Sequence, residues 1–282
     1  ILLGSSSVII MIFFLVYTAS AFASGGKLFS SVFNCSYHLS LTISFLIILG
    51  YTFLGGFMAV CTTDFIQGML MLVALLVVPI VAYALMGGGM AGALEQTGVA
   101  ASDFMNVMRN GDRNFTAVEI ISQLAWGLGY CGMPHILVRF MAVKNQKELN
   151  KSKGIAIVWV ILSLFMAVVI GVVGRAYLFP TVLGADGGST ETVFIEMITK
   201  IFTKDLRLPI VAGLFLCGIL AAIMSTADSQ LLVTASSMSE DIYKGILKKN
   251  ASEESVMKVS KFTVIGVAVV AYIIAWNPNS SI

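Results

Sequence analysis

The stretch Leu208-PIVAGLFLCGILAAIMSTADSQLL-Val233 is an apolar run of bilayer-crossing length, with Ser225, Thr226, Asp228 and Ser229 in its second half. About 20 apolar residues suffice for a helix to cross a hydrocarbon core ~30 Å thick. Hydroxyls and a carboxylate at that depth are costly, and they mark an ion or substrate path. On a helix turning ~100° per residue, Ala222, Ser225, Thr226 and Ser229 share one arc, with Asp228 at its edge. Oxygens of hydroxyl, carboxylate and main chain suit a hard cation. The competing reading is interhelical packing, for which small and hydroxyl residues are enriched. Packing leaves Asp228 unexplained, because a carboxylate there needs a cation or a proton.

The rest of the chain has the same character. Of its 282 residues, 58% are hydrophobic and 11% charged, far from the balance of a soluble domain. Seven spans are expected, at Ser5–Ala23, Leu39–Val60, Asp64–Met86, Glu119–Val143, Lys153–Leu178, Leu208–Met238 and Val259–Trp276. The fold class is therefore all-α, a polytopic bundle over residues 1–282 with no separate soluble domain. The net charge of +2 comes with lysines spread through short loops, which excludes a nucleic-acid patch. Cys35, Cys61, Cys131 and Cys217 have no ligand spacing and read as unpaired thiols. The chain opens on Ile1 without a signal-peptide pattern and stops soon after Asn277-Pro278, as expected of the middle of a larger membrane protein.

Lysine placement orients the spans. Lys144, Lys147, Lys151, Lys153, Lys244, Lys248, Lys249, Lys258 and Lys261 fall on one side, which the positive-inside rule makes cytoplasmic. The Cys61–Thr63 turn is then cytoplasmic too. Opposite it lie two longer connections, in which Thr192–Phe202 has the apolar spacing of a short surface helix. Ser239–Lys258 reads as an interfacial helix.

The fourth span holds Gly127, Gly129, Gly132 and Pro134 close together. Glycine weakens a helix and proline removes one of its hydrogen bonds. An interrupted span of this kind points to a broken helix lining a binding site. Trp126, Tyr130 and Pro134, at i, i+4 and i+8, would form an aromatic, mostly apolar wall. A kinked helix with core aromatics explains the same residues. Asp64 opens the third span, where a carboxylate suits the helix N-terminus; it becomes a functional residue if the fold brings it near Asp228.

These segments resemble one family. Trp126-GLGYCGMPHILVRF-Met141, Tyr51-TFLGGFMA-Val60 with Thr63-Asp64, Ile219-LAAIMS-Thr226 and Glu240-DIY-Lys244 are similar to the proline branch of the sodium:solute symporter family. The resemblance implies a leucine-transporter-type core of ten helices in two inverted repeats, of which this chain supplies core helices three to nine. It implies a sodium site at Ala222, Ser225 and Thr226, and a second cation or proton site at Asp64, Asp228 and Ser229. It also implies substrate contacts at Tyr17, Trp126, Tyr130 and Pro134.

The function implied is sodium-coupled import of L-proline across a bacterial inner (plasma) membrane, with Na+ as coupling ion, no other cofactor and no enzymatic step. The partners implied are proline, sodium and the lipid bilayer, with no nucleic acid. Alternatives are a carrier for another small solute, such as a betaine-like osmolyte or pantothenate, and an intramembrane aspartyl hydrolase with Asp64 and Asp228 as its dyad. A passive channel would need a polar ring repeated over several spans, and one span carries such a face.

Overall fold

The computed structural model describes residues 2–87, 89–98, 101–110, 113–181, 183 and 189–278. Its helices, in chain order, are α1 (Leu2–Phe33), α2 (Tyr37–Leu85), α3 (Met90–Glu95), α4 (Ala101–Phe104), α5 (Ala117–Gly129), α6 (Pro134–Met141), α7 (Gln146–Leu178), α8 (Val193–Ile198), α9 (Pro209–Ser236) and α10 (Glu253–Ile274). Two antiparallel strands of two residues each, β1 (Arg109–Asn110) and β2 (Arg113–Asn114), precede α5. The molecule is an all-α bundle made of two compact units. One holds Ile1–Ala74 and Arg207–Ile282, and the other Leu75–Leu206.

In the first unit α1 and α9 run antiparallel. Ser7 Oγ donates to Asp241 Oδ2 at 3.1 Å, while Gly25 lies against Ile223. Residue number thus rises along α1 as it falls along α9. A side chain at Gly25 would collide with the Ser44 hydroxyl, so this glycine is what lets α1 and α2 approach. Asn34, in the left-handed region at φ 52°, ends α1, and the Ser30 hydroxyl donates to the Cys35 carbonyl at 2.8 Å to close the turn into α2. Tyr37 donates to the Ala275 carbonyl at 2.7 Å and Thr42 pairs with Tyr272 at 2.8 Å, fastening α2 to α10. Phe22, Leu41, Ile48, Ala227, Leu231, Ala268 and Ala271 form the core between these four helices. On α1, Ile9, Ile12, Phe13 and Val16 are exposed at i, i+3, i+4 and i+7. In water such a stripe would be a liability; its apolar side chains suit lipid or a neighbouring apolar helix.

The 49 residues of α2 are helical throughout, yet α2 is not a straight rod. A straight helix of that length would run ~73 Å, more than twice the hydrocarbon thickness. The Tyr51 hydroxyl hydrogen-bonds the Thr63 hydroxyl, twelve residues later. In a straight helix those residues are ~18 Å apart along the axis, beyond the reach of either side chain. The helix therefore bends sharply between them, where a turn at Cys61–Thr63 was expected.

In the second unit, α5 opens with a capping box in which Thr116 Oγ1 accepts from the Glu119 amide and Glu119 accepts from the Thr116 amide. Arg113 grips the same carboxylate with both guanidinium nitrogens, at 2.8 and 3.0 Å. Helix α7 starts on an Asn145 cap that accepts from the Glu148 amide at 3.0 Å. Its far end is tied down by Tyr177, whose hydroxyl donates to Asp205 and whose carbonyl accepts from Lys200 Nζ at 2.6 Å. Helix α8 and the π-helical turns over Thr199–Asp205 bury Ile195, Met197, Ile198, Ile201 and Phe202. A Cβ at Gly174 would come within 2.7 Å of Val193. The segment expected to be a surface helix is thus packed into a core against α7. Much of the stretch Ser239–Lys258, expected to be an interfacial helix, is helical as a π-helical continuation of α9 over Ser237–Leu247.

Five helices or helical runs among the described residues are long and apolar enough to cross a membrane. The sequence reading has seven spans. The difference lies in the first arm of α2, where the apolar run among the described residues, Tyr37–Phe53, is shorter than a span while Val60–Leu85 is long enough, and in the fourth span, which breaks into pieces too short to cross alone.

Candidate functional site

On α9 the Ala222 carbonyl accepts from Ser225 Oγ at 3.1 Å and from Thr226 Oγ1 at 3.0 Å. Two hydroxyl oxygens thus lie at these distances from one carbonyl oxygen in the middle of an apolar helix. One turn on, Ser229 Oγ donates to the Ser225 carbonyl at 2.7 Å. Hydroxyls that bond back onto their own helix stay satisfied while leaving lone pairs outward. Such a cluster can offer oxygen to a cation with little rearrangement.

Just past this cluster lie the acids. Asp228 is 0% exposed and its Oδ1 is 3.2 Å from Ser229 Oγ. Its Oδ2 is buried with no hydrogen-bond partner among the described residues. Asp64, on the second arm of α2, is close enough to repel the Asp228 carboxylate, and the Tyr51 hydroxyl reaches that carboxylate as well. The bend in α2 therefore delivers Tyr51, Thr63 and Asp64 to one flank of α9. A buried carboxylate beside a second one is unfavourable unless positive charge joins them.

Sequence reasoning missed Tyr51 and Thr63 as site residues, although both stood in the segments that carry the resemblance. It also missed Gln230, which is 0% exposed with neither amide atom hydrogen-bonded among the described residues. A tyrosine and a glutamine deep in apolar runs were the available signals.

The fourth span is broken where its glycines and proline fall. Helix α5 stops at Gly129, Tyr130–Gly132 form a 3-10 turn, Met133 is extended (φ −69°, ψ 112°), and α6 begins on Pro134. Proline at the first position of a helix costs nothing, since its missing N–H would be unpaired there anyway. Trp126 and Tyr130 sit edge to face, their ring centroids 5.5 Å apart, and are 69% and 42% exposed. Tyr17, on α1 in the other unit, is also exposed and its ring lies 6.4 Å from that of Phe14.

A family model, that of the sodium:solute symporter family, matches residues 1–282. The chain belongs to that family. It is 41% identical over 277 residues to the osmoregulated proline transporter OpuE of Bacillus subtilis (strain 168), covering 98% of this chain and 54% of the relative. It is 43% identical over 280 residues to sodium/proline symporter 2 of Staphylococcus saprophyticus, covering 98% of this chain and 52% of the relative. The chain thus spans about half the length of the curated relatives it matches. Among solved structures, a Na+-coupled sialic acid symporter in a substrate-bound outward-open state superposes with a TM-score of 0.78 at 23% identity. That match covers 97% of this chain and 57% of the other. It establishes the fold, a multi-pass membrane bundle of the leucine-transporter type.

Proposed function

We propose that this chain is part of a bacterial plasma-membrane carrier that couples sodium entry to import of L-proline. The observation that carries the reading is the oxygen cluster of Ala222, Ser225 and Thr226 within an apolar helix. Membership of a sodium:solute symporter family and relatives named for proline support it. Sodium at these oxygens exchanges part of its hydration shell for a hydroxyl pair and a carbonyl. Its charge then offsets the desolvation of the site, and the state that binds proline becomes the favoured one. The coupling is reciprocal, so proline raises sodium affinity by the same factor that sodium raises proline affinity.

Asp64, Asp228 and Ser229 form a second site that takes a cation or a proton. Tyr17, Trp126, Tyr130 and Pro134 contact the substrate: aromatic faces and an interrupted helix suit a compact, largely apolar ring with a carboxylate. No covalent bond changes in this cycle. The acids serve charge compensation.

The decisive measurement is uptake of labelled proline by proteoliposomes of the full-length carrier under an inward sodium gradient, with potassium replacing sodium in the control. Uptake abolished by potassium replacement and competed by excess proline is the expected result. Competition by glycine betaine or pantothenate in place of proline would transfer the reading to another small solute. Equal uptake in potassium would remove sodium coupling altogether.

A further inference from the structure

On α7, Gly171, Gly174, Arg175 and Leu178 recur at i, i+3, i+4 and i+7 and line one side of a cavity of about 250 Å³. Phe104 of α4 and Val193 of α8 bound it elsewhere, so it lies wholly within the second unit. The two glycines leave different room. A Cβ at Gly174 would meet Val193 and Met197 at 2.7 and 2.9 Å, whereas nothing lies within 4 Å of a Cβ at Gly171. Helix α8 thus fills the space beside Gly174 and leaves that beside Gly171 open.

Arg175 is half-buried and is the one charged residue among the described lining. Its guanidinium makes no hydrogen bond or ion pair among the described residues. A cation in the last turn of a helix suits the dipole, and an arginine stem covers apolar surface. Those two effects explain an arginine near Leu178, but they leave its five N–H donors without a protein acceptor. The rest of the lining narrows the ligand. Phe104, Leu178 and Val193 give it an apolar wall, and Thr181 and Thr190 add hydroxyls. An amino acid would bring an ammonium for which this lining has no carboxylate. A bare inorganic anion would leave the apolar wall uncovered. An anion carrying an apolar chain satisfies both, and the guanidinium fork matches a carboxylate or a phosphate.

The position fits such a ligand. Helix α7 is of membrane-crossing length, and Arg175 lies in its last turn, at the end away from Lys147, Lys151 and Lys153. That is headgroup depth on the side opposite the lysine-rich loops. We propose that this cavity binds the headgroup and first methylenes of an anionic amphiphile from the outer leaflet, with its phosphate or carboxylate on Arg175. Its volume is below the ~300–1,000 Å³ of pockets that enclose a whole ligand, so the remainder of the chain stays in the bilayer.

The test is thermal unfolding of the purified full-length carrier in a neutral detergent, which reads binding without transport. Dioctanoylphosphatidylglycerol, octanoate, dioctanoylphosphatidylcholine and inorganic phosphate are compared at equal concentration and ionic strength. A ligand of the folded state raises the melting temperature. Stabilisation by phosphatidylglycerol or by octanoate is expected, and which of them acts separates a phospholipid source from a free fatty acid. Arg175→Gln should raise the concentration for half-maximal stabilisation about tenfold or more, the scale of a hydrogen bond to a charged group. Gly171→Met should abolish the effect with Arg175 in place, because the new side chain occupies the cavity from a position with open space around its Cβ. Gly266→Met on α10, equally open, should leave it unchanged. The two test variants act through different residues, so either decides if the other fails to fold. An undiminished response in Arg175→Gln or in Gly171→Met overturns the proposal. So does a response to neither anionic amphiphile, or one matched by phosphatidylcholine or by inorganic phosphate.

Discussion

The hydroxyls of Tyr51 and Thr63 meet although twelve residues of continuous helix separate them. That contact converts one 49-residue helix into two membrane-scale arms and brings Asp64 to Asp228. Spin labels at the exposed Ile47 and Ile66 measure the bend directly. A straight helix would hold the two backbones ~29 Å apart. The expected distance is well below that, and a value at or above it would return α2 to a rod.

Ser225→Ala and Thr226→Ala each delete an oxygen beside the Ala222 carbonyl. A contact of this type with a charged partner is worth about 1.5–3 kcal/mol. Sodium half-saturation of proline uptake should therefore rise roughly tenfold or more in each variant, with membrane expression intact. Unchanged values in both would leave these hydroxyls a packing role only.

Asp228→Asn keeps the shape of a fully buried side chain and removes its charge. The cation dependence of transport should change more than the apparent affinity for proline, measured at saturating sodium. A variant that loses proline affinity while keeping its sodium response would move Asp228 out of the ion site.

Gly25→Val should lower the melting temperature of the purified carrier, because the new side chain meets the Ser44 hydroxyl at the α1–α2 contact. Overpacking of this kind costs about 1–3 kcal/mol. Adding Ser44→Ala should recover part of the loss. Gly266→Ala, with open space around its Cβ position, is the neutral control.

Glu119 stands at the surface start of α5, ahead of its apolar stretch, where Arg113 and the Thr116 cap hold its carboxyl down at about 2. A carboxylate with a depressed pKa stabilises the fold above its ordinary range near 4 and loses that contribution as pH falls toward the folded value. Wild type should therefore melt above Glu119→Gln at pH 7, with the gap closing between about pH 4 and pH 2. A gap independent of pH would leave the capping geometry, and not the charge, responsible.

Much of this architecture was legible in one dimension. Long apolar runs can only be spans, because an unpaired backbone group in hydrocarbon is too costly for anything but a helix. The glycines before Pro134 announced the break in the fourth span, since both residue types act on the backbone locally. Ala222, Ser225, Thr226 and Ser229 could be placed on one face by periodicity alone. The break between the two arms of α2 was placed at Cys61–Thr63 from span length, but that the chain stays helical through it was not legible, because apolar composition is the same on both arms. Nor was the burial of Ile195, Met197 and Ile198, which depends on Gly174 of another helix leaving room for them.

What the chain determined by itself was therefore set by short-range forces: hydrophobic length, helical period and the backbone preferences of glycine and proline. What only the tertiary structure decided was the company each polar group keeps. Asp64 and Asp228 lie 164 positions apart, and no local rule pairs them. They act on each other because α2 folds back against α9, which brings the half-buried Asp64 carboxylate to the buried Asp228.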